Sequence, residues 1–207
     1  MTTQINLNQM KIKMKTVLIV LGVIAIIFVI IQIYAMKSQN GIEVYPFKVV
    51  KIYDTFEVRS YEATLFTSVK LKTSDYKKGS SQGFSILAGY IFGGNDENKK
   101  IAMTSPVSML LEDSMTMMFM VPKNFNRESL PKPNASQIEF KEEPAKKMAA
   151  ITFGGWANDE KIEAYKNQLI NALDKEGLSY TNRFYFFGYN APYEAINRKN
   201  EVVVELD

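Results

Sequence analysis

IEFKEEPAKKMAAITFGGW, residues 138–156, reads as strand, turn, strand. The same order occurs earlier in the chain. Phe56-Glu57-Val58-Arg59 aligns with Ile138-Glu139-Phe140-Lys141 at an offset of 82, and that offset also carries Ser68-Val69-Lys70 onto Ala150-Ile151-Thr152. A helical pattern follows each copy, over 74–92 and 158–176, and then two more strands. Strands, helix, strands, twice over, is the signature of an internal duplication. Two such halves bury their apolar faces by pairing their sheets around a shared core. The expected result is a barrel or strongly curved sheet with two helices outside.

Working outward, residues 44–53 and 56–61 read as a hairpin turned at Asp54-Thr55, and a third strand covers 63–71. Phe56, Val58 and Ser60 alternate with Glu57, Arg59 and Tyr61, the period of a half-buried strand. A second hairpin covers 100–111 and 115–121, with Glu112-Asp113-Ser114 at its turn, and 122–136 is a Pro/Asn-rich surface loop. The last two strands fall near 183–189 and 201–206. Met115, Met117 and Phe119 share one face of MTMMFMV and Met118 and Met120 the other, so these methionines, with Met103, Met109 and Met148, fill irregular sheet space.

The two helices differ. In the second, Asn158 or Asp159 can cap the start and Gly177 the end. Ile162, Tyr165, Leu169, Ala172 and Leu173 form one stripe, as expected of a helix that covers a sheet. The first carries Phe84, Leu87, Ala88 and Ile91 on such a stripe, but Ile86, Tyr90 and Phe92 lie partly outside it. That surplus predicts an apolar surface available to a ligand, a partner or a membrane.

Residues 16–34, TVLIVLGVIAIIFVIIQIY, hold no charge and one amide, Gln32. Nineteen helical residues extend about 28 Å, close to the hydrocarbon core of a bilayer. Lys11, Lys13 and Lys15 precede the run, which predicts an uncleaved signal-anchor with a cytoplasmic N-terminus and a periplasmic or extracellular body. The predicted organisation is a basic segment (1–15), an anchor (16–36), a linker (37–43) and a body (44–207). Those three lysines account for the whole net charge of +3, since the chain has 25 basic and 22 acidic residues. The neutral body argues against a nucleic-acid partner.

The chain has no cysteine and no histidine. Disulfides, thiolate chemistry, imidazole bases and the commonest metal and haem ligands are excluded. The Gly93-Gly94 and Gly154-Gly155 pairs lack nucleotide-binding spacing and read as turns. No motif pairs a Ser with a Lys, or two carboxylates, for hydrolysis. The expectation is a binding protein, not an enzyme, with no evident metal site.

Three blocks resemble the SOUL haem-binding protein family: YDTFEVRSYEAT (53–64), GFSILAGYIFGGN with KKIAMTSPV (83–107), and FFGYNAPYEAINRKNEVVVEL (186–206). The resemblance covers about residues 45–206. It implies an α+β fold, a distorted eight-stranded β-barrel of two βαββ-like repeats with two outer helices, here preceded by the transmembrane helix. It implies a haem or other tetrapyrrole ligand held non-covalently, in a groove beside the first helix and the loop before the last strand. The corresponding candidates are Lys77, Lys78, Phe84, Ile86, Leu87, Tyr90, Ile91, Phe92, Tyr189 and Tyr193. Lys77 and Lys78 would meet the propionates. With no histidine, an iron ligand could only be Tyr, Met or Lys, and apolar packing would hold the ring. The alternative is a sensing or protein-interaction domain for another amphipathic molecule, without haem.

Overall fold

A computed structural model describes the backbone of residues 2–38 and 41–207 and the side chains of 13–34 and 41–207. Lys11 and most of the expected linker therefore lie outside the described side chains. The chain divides into two compact units, Met1–Gly41 with Pro192–Ile196, and Ile42–Ala191 with Asn197–Asp207.

The first unit is built on helix α1 (Thr2–Ser38). Its stretch Lys13–Tyr34 is long and apolar enough to cross a membrane. Every described side chain of that stretch is exposed except Gln32, which is 5% exposed. Gln32 Nε2 donates to the carbonyl of Tyr193 and its Oε1 accepts from the amide of Ala195, each at 3.0 Å.

The second unit, the body, runs β1 (Glu43–Val44), β2 (Phe47–Ile52), β3 (Glu57–Tyr61), β4 (Thr64–Lys70), α2 (Tyr76–Ile91), β5 (Thr104–Ser105), β6 (Val107–Leu110), β7 (Thr116–Met120), β8 (Ile138–Glu143), β9 (Lys146–Gly154), α3 (Asp159–Glu176), β10 (Tyr180–Gly188) and β11 (Lys199–Leu206). β1 and β5 form a short parallel pair. The other nine strands make one curled sheet in the order β2-β3-β9-β11-β10-β6-β7-β4-β8.

Without β2, that order is a palindrome of the two halves. Exchanging β3 with β8, β4 with β9, β6 with β10 and β7 with β11 reproduces it in reverse. The halves interleave: β3 of the first pairs with β9 of the second, and β8 of the second with β4 of the first. Two expectations are thereby corrected. The sheet has nine strands rather than eight, because β2 adds to one edge. It is also not closed by hydrogen bonds, because β2 and β8 are its two ends.

Period-two alternation divides the core between the faces of this sheet. Val58, Val69, Met117, Phe119, Ile151, Phe186, Val202 and Val204 face α2 and α3. Tyr45, Tyr61, Phe66, Met118, Met120, Met148, Tyr185, Phe187 and Val203 form the second core on the other face. The run Val202-Val203-Val204 is unbroken because a central strand buried on both faces needs no polar alternation. The methionines divide as their spacing predicts, and all of Met109, Met115, Met117, Met118, Met120 and Met148 are buried.

Both helices are capped from their own sequence. Asp75 Oδ1 accepts from the Lys78 amide at 2.8 Å, and Asn158 Oδ1 from the Lys161 amide at 2.9 Å. Gly177 closes α3 at φ 68°, where a residue without Cβ is favoured.

Candidate functional site

Of the surplus apolar residues expected on α2, Tyr90 is covered by the chain itself, Ile86 is half-buried and Phe92 stays 63% exposed. The loop 122–137 wraps back over the end of the helix. Tyr90 is 1% exposed, and its hydroxyl donates to the Pro131 carbonyl at 2.9 Å. Its ring lies 6.0 Å from that of Phe140. Burial pushes the Tyr90 phenol up to about 12. The loop is tied down by Asn134 N–H to the Gly94 carbonyl, by Asp96 N–H to the Lys132 carbonyl, and by Lys132 N–H to Asp96 Oδ1.

Asn95 anchors the other side of this junction. It is 1% exposed; its Nδ2 donates to the carbonyls of Tyr90 and Lys99, and its Oδ1 accepts from the Lys99 amide. One side chain thus satisfies three backbone groups where the helix stops, which explains an asparagine after the two glycines.

The candidate residues therefore separate. Leu87, Tyr90 and Ile91 belong to the closed core. The expectation that they line an open groove fails on their burial, at 0, 1 and 4% exposure, with Pro131 and Phe140 lying against Tyr90. Phe84 and Ile86 are half-buried against the same core. Lys77, Lys78 and Phe92 are exposed, and they lie on one stripe with Ser81, Gln82, Ser85 and Gly89. From Lys78 to Gly89 this stripe of small and polar side chains extends about 16 Å along the axis.

Tyr189 is half-buried, and its hydroxyl donates to Glu201 Oε2 at 2.7 Å. Burial and the Glu201 charge hold its phenol far above the ordinary value, so it stays a neutral donor. Tyr193 is exposed and belongs to the first unit.

Glu201, fully buried, is the centre of a network that the sequence reading did not single out. Arg59 meets it at 2.9 and 3.0 Å, Lys199 Nζ at 2.9 Å and Thr152 Oγ1 at 3.2 Å. A second network joins Glu143, Lys146, Glu205, Tyr185 and Arg183. Beside it Tyr45, Phe66, Tyr185 and Phe187 enclose a cavity of about 10 Å³. That space takes no more than a single water. Arg198 stacks on Trp156 at 4.0 Å and donates to the Ala191 carbonyl, so it serves the loop's structure.

A larger concavity of about 420 Å³ opens between the starts of α2 and α3, floored by Leu111, Met115 and Ile162 and rimmed by Glu112, Asp159, Glu160 and Glu163. Its lining is acidic and without a basic side chain, the wrong sign for a carboxylated macrocycle.

The chain has neither histidine nor cysteine to offer a metal. Among the described residues no group of His, Cys, Asp and Glu could hold a metal ion. Tyr189 spends its proton on Glu201, and the six strand methionines noted above are enclosed.

The fold and these sites define an α+β body, a strongly curled nine-stranded sheet with α2 and α3 packed on it and a buried interior. Residues 42–205 match the SOUL heme-binding protein family, and the chain belongs to that family. It is 26% identical over 157 residues to heme-binding protein 2 of Mus musculus, covering 72% of this chain and 76% of that one. It is 24% identical over 175 residues to heme-binding protein 1 of Sus scrofa, covering 79% and 92%. Among solved structures it is similar to the EcmrR C-terminal domain, with a TM-score of 0.58 at 12% identity, over 73% of this chain and 96% of that one.

Proposed function

We propose that this protein is a membrane-anchored SOUL domain that binds haem or another tetrapyrrole non-covalently, without a histidine ligand. Membership of the SOUL family, with relatives named for haem binding, is the observation that carries the reading. The macrocycle lies flat along the exposed stripe of α2, over Ser81, Ser85 and Gly89. Lys77 and Lys78 attract its carboxylates at one end and Phe92 supplies apolar contact at the other. The small side chains let a ring approach the helix closely. No catalytic step is assigned to the chain, which has neither a histidine nor a cysteine.

The stretch Lys13–Tyr34 anchors the protein, with the lysine-bearing N-terminus in the cytoplasm and the body outside. The palindromic strand order supports descent from a duplicated half. The domain layout follows: basic segment, anchor, short linker and SOUL body.

The test is a hemin titration of the purified full-length protein in detergent. A saturable Soret shift is expected, weakened by Lys77→Glu with Lys78→Glu and by Phe92→Ala, while circular dichroism stays unchanged. No saturable shift would remove tetrapyrrole binding and leave the second reading, a domain for another amphipathic molecule, which the absence of histidine from the sequence favours.

A further inference from the structure

Gln32 is the one amide in an otherwise apolar run, and the one described side chain of Lys13–Tyr34 that is not exposed. Its carboxamide grips the segment Pro192–Ile196 at both ends, donating to Tyr193 C=O and accepting from Ala195 N–H at 3.0 Å. That segment forms one compact unit with the helix, and it presents Tyr193 and Ile196 at 54% and 49% exposure.

In lipid these facts fit together. An amide left unpaired in hydrocarbon is costly, and irregular backbone survives there only when its polar groups are satisfied. Gln32 and the segment satisfy each other. Gln32 lies two residues before Tyr34, about 3 Å along the axis, and so at the edge of the span rather than its centre. Tyrosines concentrate at that depth, ring in lipid and hydroxyl in water.

We propose that Pro192–Ile196 is a second membrane-contacting element, inserted into the lipid interface beside the end of the span and held there by Gln32. Its partner is the headgroup–acyl boundary of the leaflet that holds Tyr34. The proposal rests on the reading of Lys13–Tyr34 as a membrane span.

The absence of cysteine makes the test direct, because an introduced one is unique. Full-length Tyr193→Cys, labelled with the environment-sensitive dye NBD, is reconstituted in phosphatidylcholine vesicles. The expected result is blue-shifted emission, loss of most emission with doxyl-labelled lipid, and protection from aqueous iodide. Adding Gln32→Leu should reverse all three while the protein still resists carbonate extraction. A carbonate-extractable protein overturns the span and this proposal with it. A carbonate-resistant protein whose label stays open to iodide and untouched by doxyl lipid overturns this proposal alone. So does a Gln32→Leu variant that leaves the label's quenching unchanged.

Discussion

Arg59 and Glu201, 142 positions apart, meet through two parallel hydrogen bonds of 2.9 and 3.0 Å, with side chains 4% and 0% exposed. Arg59 stands on β3 and Glu201 on β11, with β9 between them. The pair therefore ties the first half of the chain to the second. A bidentate guanidinium–carboxylate contact has one favourable geometry, so it also selects one strand register.

Removing Arg59 takes the bidentate partner from the buried Glu201 and leaves it Lys199, Tyr189 and Thr152. Arg59→Ala should cost about 3 kcal/mol, the low end for a broken buried pair, because those partners remain. Replacing both, as Arg59→Met with Glu201→Leu, should recover much of that loss. Chemical unfolding of the four proteins of this cycle measures the coupling.

The acid limb of stability should be steep. Burial works against the ionised forms of Glu143, Glu201 and Glu205. Hydrogen bonds and charge from Lys141 and Lys146, from Arg59, and from Lys146 respectively outweigh it, so all three carboxyls are held below their ordinary value of 4.5. A lowered folded pKa contributes stability that is complete above the unfolded value and is lost as pH falls through the folded one. Melting temperatures should be flat above that ordinary value and fall below it. Glu201→Gln should melt lower at neutral pH and show a shallower acid decline than the parent.

Two glycines of one motif should respond in opposite senses. A Cβ at Gly89 would meet nothing within 4 Å, whereas one at Gly94 would lie 2.6 Å from the Gly89 carbonyl oxygen. Gly89→Ala should stabilise by about 0.5–1 kcal/mol, the helix propensity gained. Gly94→Ala must displace backbone and should destabilise by more than that gain. Thermal melts of the two variants decide this.

Asn95→Ala would take one donor from the Tyr90 carbonyl, which keeps the Gly93 amide at 3.2 Å, and would leave the Lys99 carbonyl and amide without this partner. A loss of about 1–3 kcal/mol is expected for each group left unpaired. Tyr90→Phe, which frees only the Pro131 carbonyl, should cost less. Hydrogen exchange should place the new flexibility at 92–100 and 130–135 in both.

If no protein atom ligates iron, metal-free protoporphyrin should bind as tightly as hemin. Titration of both into the same preparation tests this. Hemin affinity should fall with added salt when Lys77 and Lys78 are present, because exposed ion pairs are screened. A strong preference for hemin would instead point to an axial ligand, with the exposed Lys77, Lys78 and Tyr193 as the side chains to substitute next.

The strands, the caps at Asn158 and Gly177, the methionine faces and the apolar run at 16–34 were legible in the sequence, because each depends on neighbours within a few residues. Period two sorts side chains between the faces of a strand wherever that strand sits. The order of strands was not legible. Both β3 and β8 present an alternating face that any neighbour could accept, and only the folded sheet exchanges them between halves. The groove expected beside α2 failed for the same reason. Ile86, Tyr90 and Phe92 revealed a surplus apolar surface, but not that Pro131 and Phe140, some 40 or 50 residues away, would close over Tyr90. Gln32 was visible as an odd amide, whereas nothing local marked Glu201 for full burial. Their partners, Tyr193 with Ala195 and Arg59, are fixed by tertiary approach, since a buried polar group takes whichever partner the packed chain brings within hydrogen-bonding distance.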